Sequence, residues 1–309
     1  MKRSTVTAFA VSAFIATAAA ACSSSSGDLS TGDDSSPGTD SGSGTDSTVV
    51  TNPDGAAPTD SGSNQPSDAG ADVKAEPDCT GLAYCENFEG YDDASTILNN
   101  EILGPWKAEV SGTVTMKVDG DNPYGGSKAL HINIPVLDAG SSTSTLDQSV
   151  ASGGLVTGND LWGRVMVWYK NKPNGHTWIF EGQGKSTASN KTMNLNLADQ
   201  GSNYFLNYHG DTTSGAESSA AGGTPVAGAW VCLQWEYNGS TTTNASEAKV
   251  WADGTLIIDS KKAPAQTWDL ATPFTSFQLG FVHYPNTTEV IDLYIDDFAL
   301  NNARVACPL

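Results

Sequence analysis

Positively charged residues are scarce in this chain. Its 309 residues include 15 Lys and Arg against 35 Asp and Glu, which gives a formal net charge of -20 at pH 7. Nucleic acids and anionic lipid surfaces attract proteins through clustered Lys and Arg, so this composition argues against both as partners. Strongly anionic polymers are disfavoured for the same reason, unless a divalent cation mediates the contact.

Long apolar runs are also missing, except for one at the N-terminus. Two basic residues precede an alanine-rich apolar stretch from Val6 to Ala21, which ends in small residues directly before Cys22. This pattern predicts a secretory signal over residues 1–22 that is too short to be a comfortable membrane span. The small residues before Cys22 resemble a bacterial lipoprotein cleavage box, although Ala19 stands where leucine is usual. We expect Cys22 to be lipidated; ordinary signal cleavage is the alternative.

Aromatic residues are absent from residues 23–78, which consist almost wholly of Ser, Gly, Asp, Thr and Pro. Such a segment cannot bury enough apolar surface to offset the entropy of ordering it, so we predict a disordered linker. As a coil, its end-to-end distance would be roughly 40 Å. Because Ser23 follows the cysteine, the lipoprotein resemblance implies sorting to the outer membrane. The predicted domain covers residues 79–309, a length that suits one well-filled core.

A helical pattern is missing from that domain, since no stretch sustains a 3.6-residue apolar stripe for three turns. Alternation with period two recurs instead, as in LWGRVMVWYK over residues 161–170. Asp253-Gly254 lies between β-rich flanks and predicts a hairpin with a type I′ turn. One short helix is expected near residues 94–103. Ten or more strands joined by polar loops indicate an all-β, two-sheet sandwich.

Cysteine is rare as well. Besides Cys22 the chain has four cysteines, an even number that predicts two disulfides in an exported domain. Of the three possible pairings we favour Cys79 with Cys85, which closes a short loop, and Cys232 with Cys307, which ties the tail to an interior strand. A zinc site is the alternative, but no CxxC spacing supports it.

Several segments resemble those of the concanavalin A-like lectin/glucanase jelly rolls, and they occur in the order typical of that superfamily. They are CENFEG at residues 85–90, NPYGGSKALHINI at 122–134, WVCLQWEYNG at 230–239, AKVWADGTLI at 248–257 and YIDDFAL at 294–300. The resemblance is nearest to secreted bacterial proteins related to polysaccharide lyases. It implies an antiparallel two-sheet jelly-roll sandwich in which the first and last strands lie side by side.

The same resemblance implies a structural calcium ion where those two strands meet. Carried over by position, Glu89 and Asp297 would be its carboxylate ligands, and carbonyls of the turn from Gly125 to Ser127 would supply neutral oxygens. The ion would also offset the repulsion between Asp297 and the adjacent Asp296. In the alternative, Asp296 points to solvent and Asp297 caps a turn.

The curved face of such a sandwich is a groove, and enzymes would need specific residues there. Glycoside hydrolysis needs two nearby carboxylates, but the ExDxxE motif of jelly-roll glucanases is missing. Polysaccharide lyases need a base, an acid and a group that neutralises a uronate. If the protein is a lyase, we expect its catalytic residues among Arg164, His176, Tyr208 and His209, although no lyase motif is intact. Arg164 is either a carboxylate clamp or a stem lying across aromatic rings.

Binding alone needs aromatic faces that stack on sugar rings and polar groups that bond the hydroxyls. Trp162, Trp168 and Gln183 are the expected substrate-binding residues. Trp178, Tyr208 and Trp235 are further candidates for stacking, although we expect Trp178 and Trp235 in the core. We therefore predict a monomeric polysaccharide-binding domain of a surface lipoprotein or secreted protein. A polysaccharide lyase is the leading alternative, followed by a glycoside hydrolase or an adhesion role.

Overall fold

The described part of the chain is built from β-strands. The computed structural model describes residues 78–93, 95–136, 142–149, 160–173, 175–185, 192–199, 201–209, 214–218, 223–238, 247–261, 274–284 and 289–308. The predicted signal segment with Cys22, and the predicted linker up to residue 77, lie outside these ranges. Within the ranges, no helix is long and apolar enough to cross a membrane.

Sixteen strands occur among the described residues. They are β1 (Tyr84–Glu86), β2 (Ile102–Leu103), β3 (Trp106–Ser111), β4 (Thr115–Asp119), β5 (Ala129–Ile134), β6 (Ser142–Ser149), β7 (Asp160–Tyr169), β8 (His176–Lys185), β9 (Thr192–Asp199), β10 (Tyr204–His209), β11 (Ser214–Ser218), β12 (Trp230–Asn238), β13 (Glu247–Ala252), β14 (Thr255–Lys261), β15 (Ser276–Tyr284) and β16 (Ile291–Asn301).

The strands form two eight-stranded antiparallel sheets. The back sheet has the order β14-β13-β12-β7-β16-β5-β4, and β1 also pairs with β16. The groove sheet, named for the groove described below, has the order β11-β10-β9-β8-β15-β6-β3-β2. The prediction of an all-β, two-sheet antiparallel sandwich is therefore confirmed. The first and last strands pair with Tyr84 opposite Leu300, as the resemblance implies.

Aromatic side chains fill the space between the sheets. Phe180 of the groove sheet stacks on Trp235 of the back sheet with ring centroids 4.4 Å apart, and Phe277 and Phe298 extend this cluster. All four are fully buried, and each such ring stabilises the fold by roughly 2–3 kcal/mol. Because side chains alternate along a strand, this layer determines which residues of each strand face outward.

β7 passes close to this cluster at Gly163. Gly163 is the register partner of Trp235, and a Cβ at position 163 would lie 2.2 Å from the Trp235 ring. A glycine is therefore required by the close approach of the indole to the backbone.

One polar contact joins the two sheets through the interior. The Tyr169 hydroxyl of β7 donates to Asp199 Oδ2 of β9 at 2.7 Å, and both side chains are buried. Burial raises the pKa of Asp199 to about 7, although the Tyr169 hydrogen bond acts in the opposite direction. The folded state therefore favours a protonated Asp199 near neutral pH.

The C-terminal tail is fastened to the outside of the back sheet. A disulfide joins Cys232 to Cys307, and Arg164 Nη1 donates to the carbonyl of Ala306 at 2.6 Å. A second disulfide joins Cys79 to Cys85 near the start of the domain. These are the two pairings favoured from the sequence.

The turn predicted at Asp253-Gly254 is confirmed, whereas the helix predicted near residues 94–103 is not. Asp253 and Gly254 have φ values of 47° and 77°, as a type I′ turn requires at both central positions. The prediction of a helix near residues 94–103 is wrong for the described residues 95–103. These residues form turns and β2. The buried residues there are Ile97 and Leu103, a spacing of six that does not place both on one face of a helix.

We predict that Gly163→Ala destabilises the domain by about 1–3 kcal/mol, because the new methyl group would overlap the Trp235 ring. Urea denaturation measures the loss. Gly90→Ala is the matched control, since a Cβ at position 90 meets nothing within 4 Å. Equal stability of the two variants would contradict the close packing at Gly163.

We also predict that the free energy of unfolding falls as the pH rises from about 4 to about 8. The pKa of Asp199 is higher in the folded state than its unfolded value of 3.8, so its contribution is complete below the unfolded pKa and is lost as the pH rises through about 7. Asp199→Asn should flatten this dependence by at most about 1.4 kcal/mol per pH unit.

Urea denaturation at a series of pH values tests this expectation. Asp259→Asn, at an exposed position of β14, is the control and should leave the slope unchanged. An unchanged slope in Asp199→Asn would contradict the proposed titration.

Candidate functional site

The outward face of the groove sheet forms an open groove with a volume of about 580 Å³. This is within the usual size range of ligand sites. Six strands supply the lining residues, which are Glu109, Thr143, His176, Trp178, Glu181, Asn194, Asn196, Asn207, His209, Gln278, Val282 and Tyr284.

Polar side chains form a row across the floor of this groove. The strand register aligns five of them on neighbouring strands: Asn207, Asn196, Glu181, Gln278 and Asp147. At about 4.8 Å between strands, the row extends for roughly 19 Å. An apolar cluster lies beside it and contains Phe205, Ala198, Trp178 and Val282.

A β-bulge determines which side chains of β8 reach the groove. The register with β9 shifts between Trp178 and Phe180, so Ile179 is an extra residue in the strand. Trp178 and Glu181 consequently both line the groove although they are three residues apart. Trp178, expected in the core between the sheets, instead belongs to the groove face.

Glu181 is the best-buried acid among the lining residues, with 4% of its surface exposed. Its carboxylate accepts hydrogen bonds from the amide nitrogens of Gln183, Asn194 and Asn196. Burial raises the pKa of Glu181, whereas the three amide donors lower it. Gln183, a predicted substrate-binding residue, donates to Glu181 from two residues along β8 but is not among the lining residues.

A second acidic centre lies at the other end of the polar row. Asp147 of β6 accepts a hydrogen bond from Thr145 Oγ1 at 3.2 Å and interacts with Gln278 and Glu109. Burial, and secondarily the charge of Glu109, raises the pKa of Asp147 to about 6. Glu109 itself is exposed on β3.

Two of the predicted catalytic residues line the groove. The ring of His176 lies 5.0 Å from Phe205 and 5.6 Å from Tyr284 between centroids. Burial, and secondarily the charge of His209, lowers the pKa of His176, so its imidazole is neutral at pH 7. His209 is an exposed lining residue. Tyr208 belongs to β10, but its side chain lies outside what the structure describes.

The other predicted site residues, Trp162, Arg164 and Trp168, belong to β7 of the back sheet and are not among the lining residues of the groove. Trp162 stacks on Trp251 at 5.5 Å, and Trp168 meets the edge of Tyr294 at 5.5 Å. Arg164 is 6% exposed and donates to the carbonyls of Asp297 and Ala306. The guanidinium thus holds the C-terminal tail. β7 belongs to the back sheet, so this contact is made on the sheet opposite the groove.

The predicted calcium ligands occur at the junction of the first and last strands. Glu86, buried at the start of this segment, accepts a hydrogen bond from Trp106 Nε1 at 2.9 Å. Glu89 then accepts hydrogen bonds from the backbone nitrogens of Ser127 and Lys128 at 2.6 and 2.8 Å. Glu89 therefore contacts the turn that was predicted to supply calcium ligands, and the contact is made by backbone N–H groups of that segment.

The two adjacent carboxylates of β16 also meet this turn. Asp296 accepts hydrogen bonds from the backbone nitrogens of Tyr124 and Gly125, at 2.9 and 3.3 Å, and from that of Asp297. Asp296 and Asp297 are both fully buried, so the alternative in which Asp296 points to solvent is wrong. Asp297 has a φ of 48°, and its charge offsets the effect of burial on the pKa of Arg164.

A different group on the back sheet also has metal-ligand chemistry. One ligand atom each from Asp119, Asp121 and His131 lie within 4.8 Å of one another. His131 is held between Asp119 and Asp292 at 2.8 Å on each side, and Lys117 Nζ also bonds to Asp119. These partners satisfy much of the charge that would otherwise attract a cation.

The fold can be compared with solved structures. No protein-family model and no curated protein matches the sequence. An endo-β-1,4-glucuronan lyase from the fungus Trichoderma reesei matches with a TM-score of 0.51 at 15% identity, over 69% of this chain and 96% of the lyase. The domain therefore shares the antiparallel two-sheet sandwich fold of this lyase.

Two further jelly rolls show weaker likeness. A cellulose-induced protein matches with a TM-score of 0.49 at 16% identity, over 73% of this chain and 100% of that protein. An alginate lyase from Pseudomonas aeruginosa matches with a TM-score of 0.40 at 13% identity, over 56% of this chain and 82% of the lyase.

Sequence reasoning missed most of the polar floor of this jelly roll. The missed residues are Glu109, Thr143, Asp147, Asn194, Asn196, Asn207, Gln278 and Tyr284. A signal was present in TMNLNLAD, where Asn194 and Asn196 alternate with leucines and so must share the outward face of β9. Their proximity to Glu181 depends on the strand order, which a single strand does not reveal.

Proposed function

We propose that this domain binds a polysaccharide in the groove, without cleaving it. The observation that carries the proposal is the adjacency of aromatic rings to a continuous polar row. Tyr284 is the only aromatic residue among the exposed large hydrophobic side chains of the described residues, at 43%, and it lines the groove. Sugars present apolar ring faces and hydroxyl edges, so both parts of this surface have a partner on a glycan.

The likeness to an endo-β-1,4-glucuronan lyase is consistent with a polysaccharide ligand but concerns the fold. β-Elimination would need a base, an acid and a neutraliser for the uronate. His176 and Tyr284 are neighbours that suit the first two roles. Among the described lining residues, however, there is no Arg or Lys, and Arg164 lies on the back sheet. Lyase activity therefore ranks below binding.

Glycoside hydrolysis is the second candidate, because the groove supplies the acidic pair that the sequence lacks as a motif. Glu181 and Asp147 lie on either side of Gln278 in the polar row. Two strand spacings separate their backbones by roughly 10 Å, just above the carboxyl-to-carboxyl range of roughly 6.5–9.5 Å for inverting enzymes. Release of reducing ends from a panel of glycans would favour hydrolysis, and new ultraviolet absorbance from unsaturated uronates would favour β-elimination.

We predict that Tyr284→Ala weakens binding to the best-retained polysaccharide by about tenfold, because a stacking face is lost. Affinity electrophoresis against neutral, amino-bearing and uronic-acid polymers, followed by calorimetry, provides the measurement. Trp168→Ala is the matched control, since Trp168 is an aromatic residue of the back sheet. A larger effect of Trp168→Ala would move the binding site to the back sheet, and retention by none of the polymers would refute the proposed function.

The location proposed for this domain is the cell surface. The two disulfides are typical of exported proteins. The lipoprotein-like sequence before Cys22 and the Ser/Gly/Asp-rich residues 23–78 support a lipid anchor followed by a spacer. Metabolic labelling with a fatty-acid analogue, lost in Cys22→Ser, tests the anchor.

We also propose a structural calcium ion at the junction of β1 and β16, held by Glu89, Asp297 and carbonyls of residues 125–127. The proximity of Glu89 and Asp296 to one turn, and the burial of adjacent Asp296 and Asp297, support a cation there. The ion would link the two ends of the domain and stabilise them against separation.

Addition of Ca²⁺ is predicted to raise the melting temperature of the chelator-treated protein, because the ion binds only the folded state. Asp297→Asn should remove this response. Asp119→Asn, in the other acidic group, is the control and should retain it. A response that disappears in Asp119→Asn but persists in Asp297→Asn would assign the ion to the back-sheet group instead.

A further inference from the structure

The charge of the groove restricts the sugars that it can accept, if it binds polysaccharide as proposed above. Glu109 and Glu181 are the acids of its described lining, and no Lys or Arg belongs to that lining. Lys107, the register partner of Asp147, is exposed on β3 outside that lining. A negatively charged sugar would therefore approach a surface of like charge.

The hydrogen-bonding groups around Glu181 also disfavour a negatively charged sugar. A carboxylate accepts hydrogen bonds only, so the amides of Asn194 and Asn196 must turn their nitrogens toward it. Their Oδ1 atoms are buried without a hydrogen-bond partner, and only 3% of Asn196 is exposed. A buried acceptor without a donor is unfavourable, and a donor that enters through the groove would satisfy it.

His176 does not offset the negative charge of this acidic floor at pH 7. Burial keeps His176 neutral at pH 7, and the charge of His209 acts in the same direction. His176 also lies beside Phe205 and Tyr284, at the aromatic end of the groove rather than beside the acids. The centre of the floor consequently offers acceptors and negative charge.

We propose that the groove selects polysaccharides that carry free amino groups, accepts neutral polysaccharides less tightly, and rejects polyuronates. An ammonium group complements both the acceptors and the negative charge of the floor. A hydroxyl group complements only the acceptors, and an ionised carboxylate complements neither. The glucuronan lyase that shares the fold is named for a uronic-acid polymer, which is the class of sugar that this groove is proposed to reject.

Calorimetry with the intact protein tests the order. The probes are β-1,4-linked oligomers of glucosamine, glucose and glucuronic acid of equal length, at a pH just above 6, because Asp147 has a pKa of about 6 and would lose its negative charge in more acidic solution. We expect the glucosamine oligomer to bind tightest and the glucuronic acid oligomer weakest. Glu109→Gln, at an exposed position, should weaken glucosamine binding about tenfold and change glucose binding by less than about twofold.

Two further variants separate a specific site from general attraction to an acidic protein. Glu181→Gln should also weaken glucosamine binding, with its thermal melting curve reported beside the binding data because Glu181 is buried. Asp259→Asn removes the same charge from an exposed position of the back sheet and should leave the affinity unchanged.

The possible failures are distinguishable. Tightest binding of the glucuronic acid oligomer would overturn the proposed selectivity and leave polysaccharide binding intact. An equal loss in Asp259→Asn and Glu109→Gln would also overturn it, because the attraction would then be nonspecific. Binding of none of the three oligomers, or of the polymers used above, would refute the proposed function and the selectivity together.

Discussion

The stacking of Phe180 on Trp235 across the interior is the contact on which the rest of the sandwich depends. It joins the centres of the two sheets and determines the inward face of β8 and β12. Gly163 allows the indole to lie directly against β7, which brings the back sheet close to this cluster. Once these rings face inward, the pleat of the groove sheet leaves Glu181, Asn196 and their row partners facing outward.

The bulge at Ile179 changes this simple alternation at the most important position. It brings an aromatic residue, Trp178, to the same face as Glu181 and so places apolar and acidic groups side by side in the groove. Bulges are common next to functional sites because they redirect one side chain without breaking the sheet. The combination of aromatic and acceptor groups in this groove is thus a product of sheet geometry as much as of composition.

The two ends of the domain meet on the back sheet rather than on the groove sheet. β1 pairs with β16, and the turn after residue 123 donates its N–H groups to both Glu89 and Asp296. The tail continues over the back sheet to the Cys232–Cys307 disulfide, where Arg164 also bonds to it. Arg164 thereby acquires a structural role, and the residues available to a ligand in the groove come from β3, β6, β8, β9, β10 and β15.

Local pattern was sufficient to predict the all-β sandwich, the Asp253-Gly254 turn and the two disulfide pairings, because these depend on alternation, turn chemistry and loop length. The same pattern placed Trp162, Trp168 and Arg164 on a common face of one strand, and they do share the outward face of β7. It could not reveal that β7 belongs to the back sheet, nor that Asp147 and Asn196 flank Glu181. Strand order, inter-sheet packing and one inserted residue decide those relationships. They arise from contacts between segments distant in sequence, so they exist only in the folded chain.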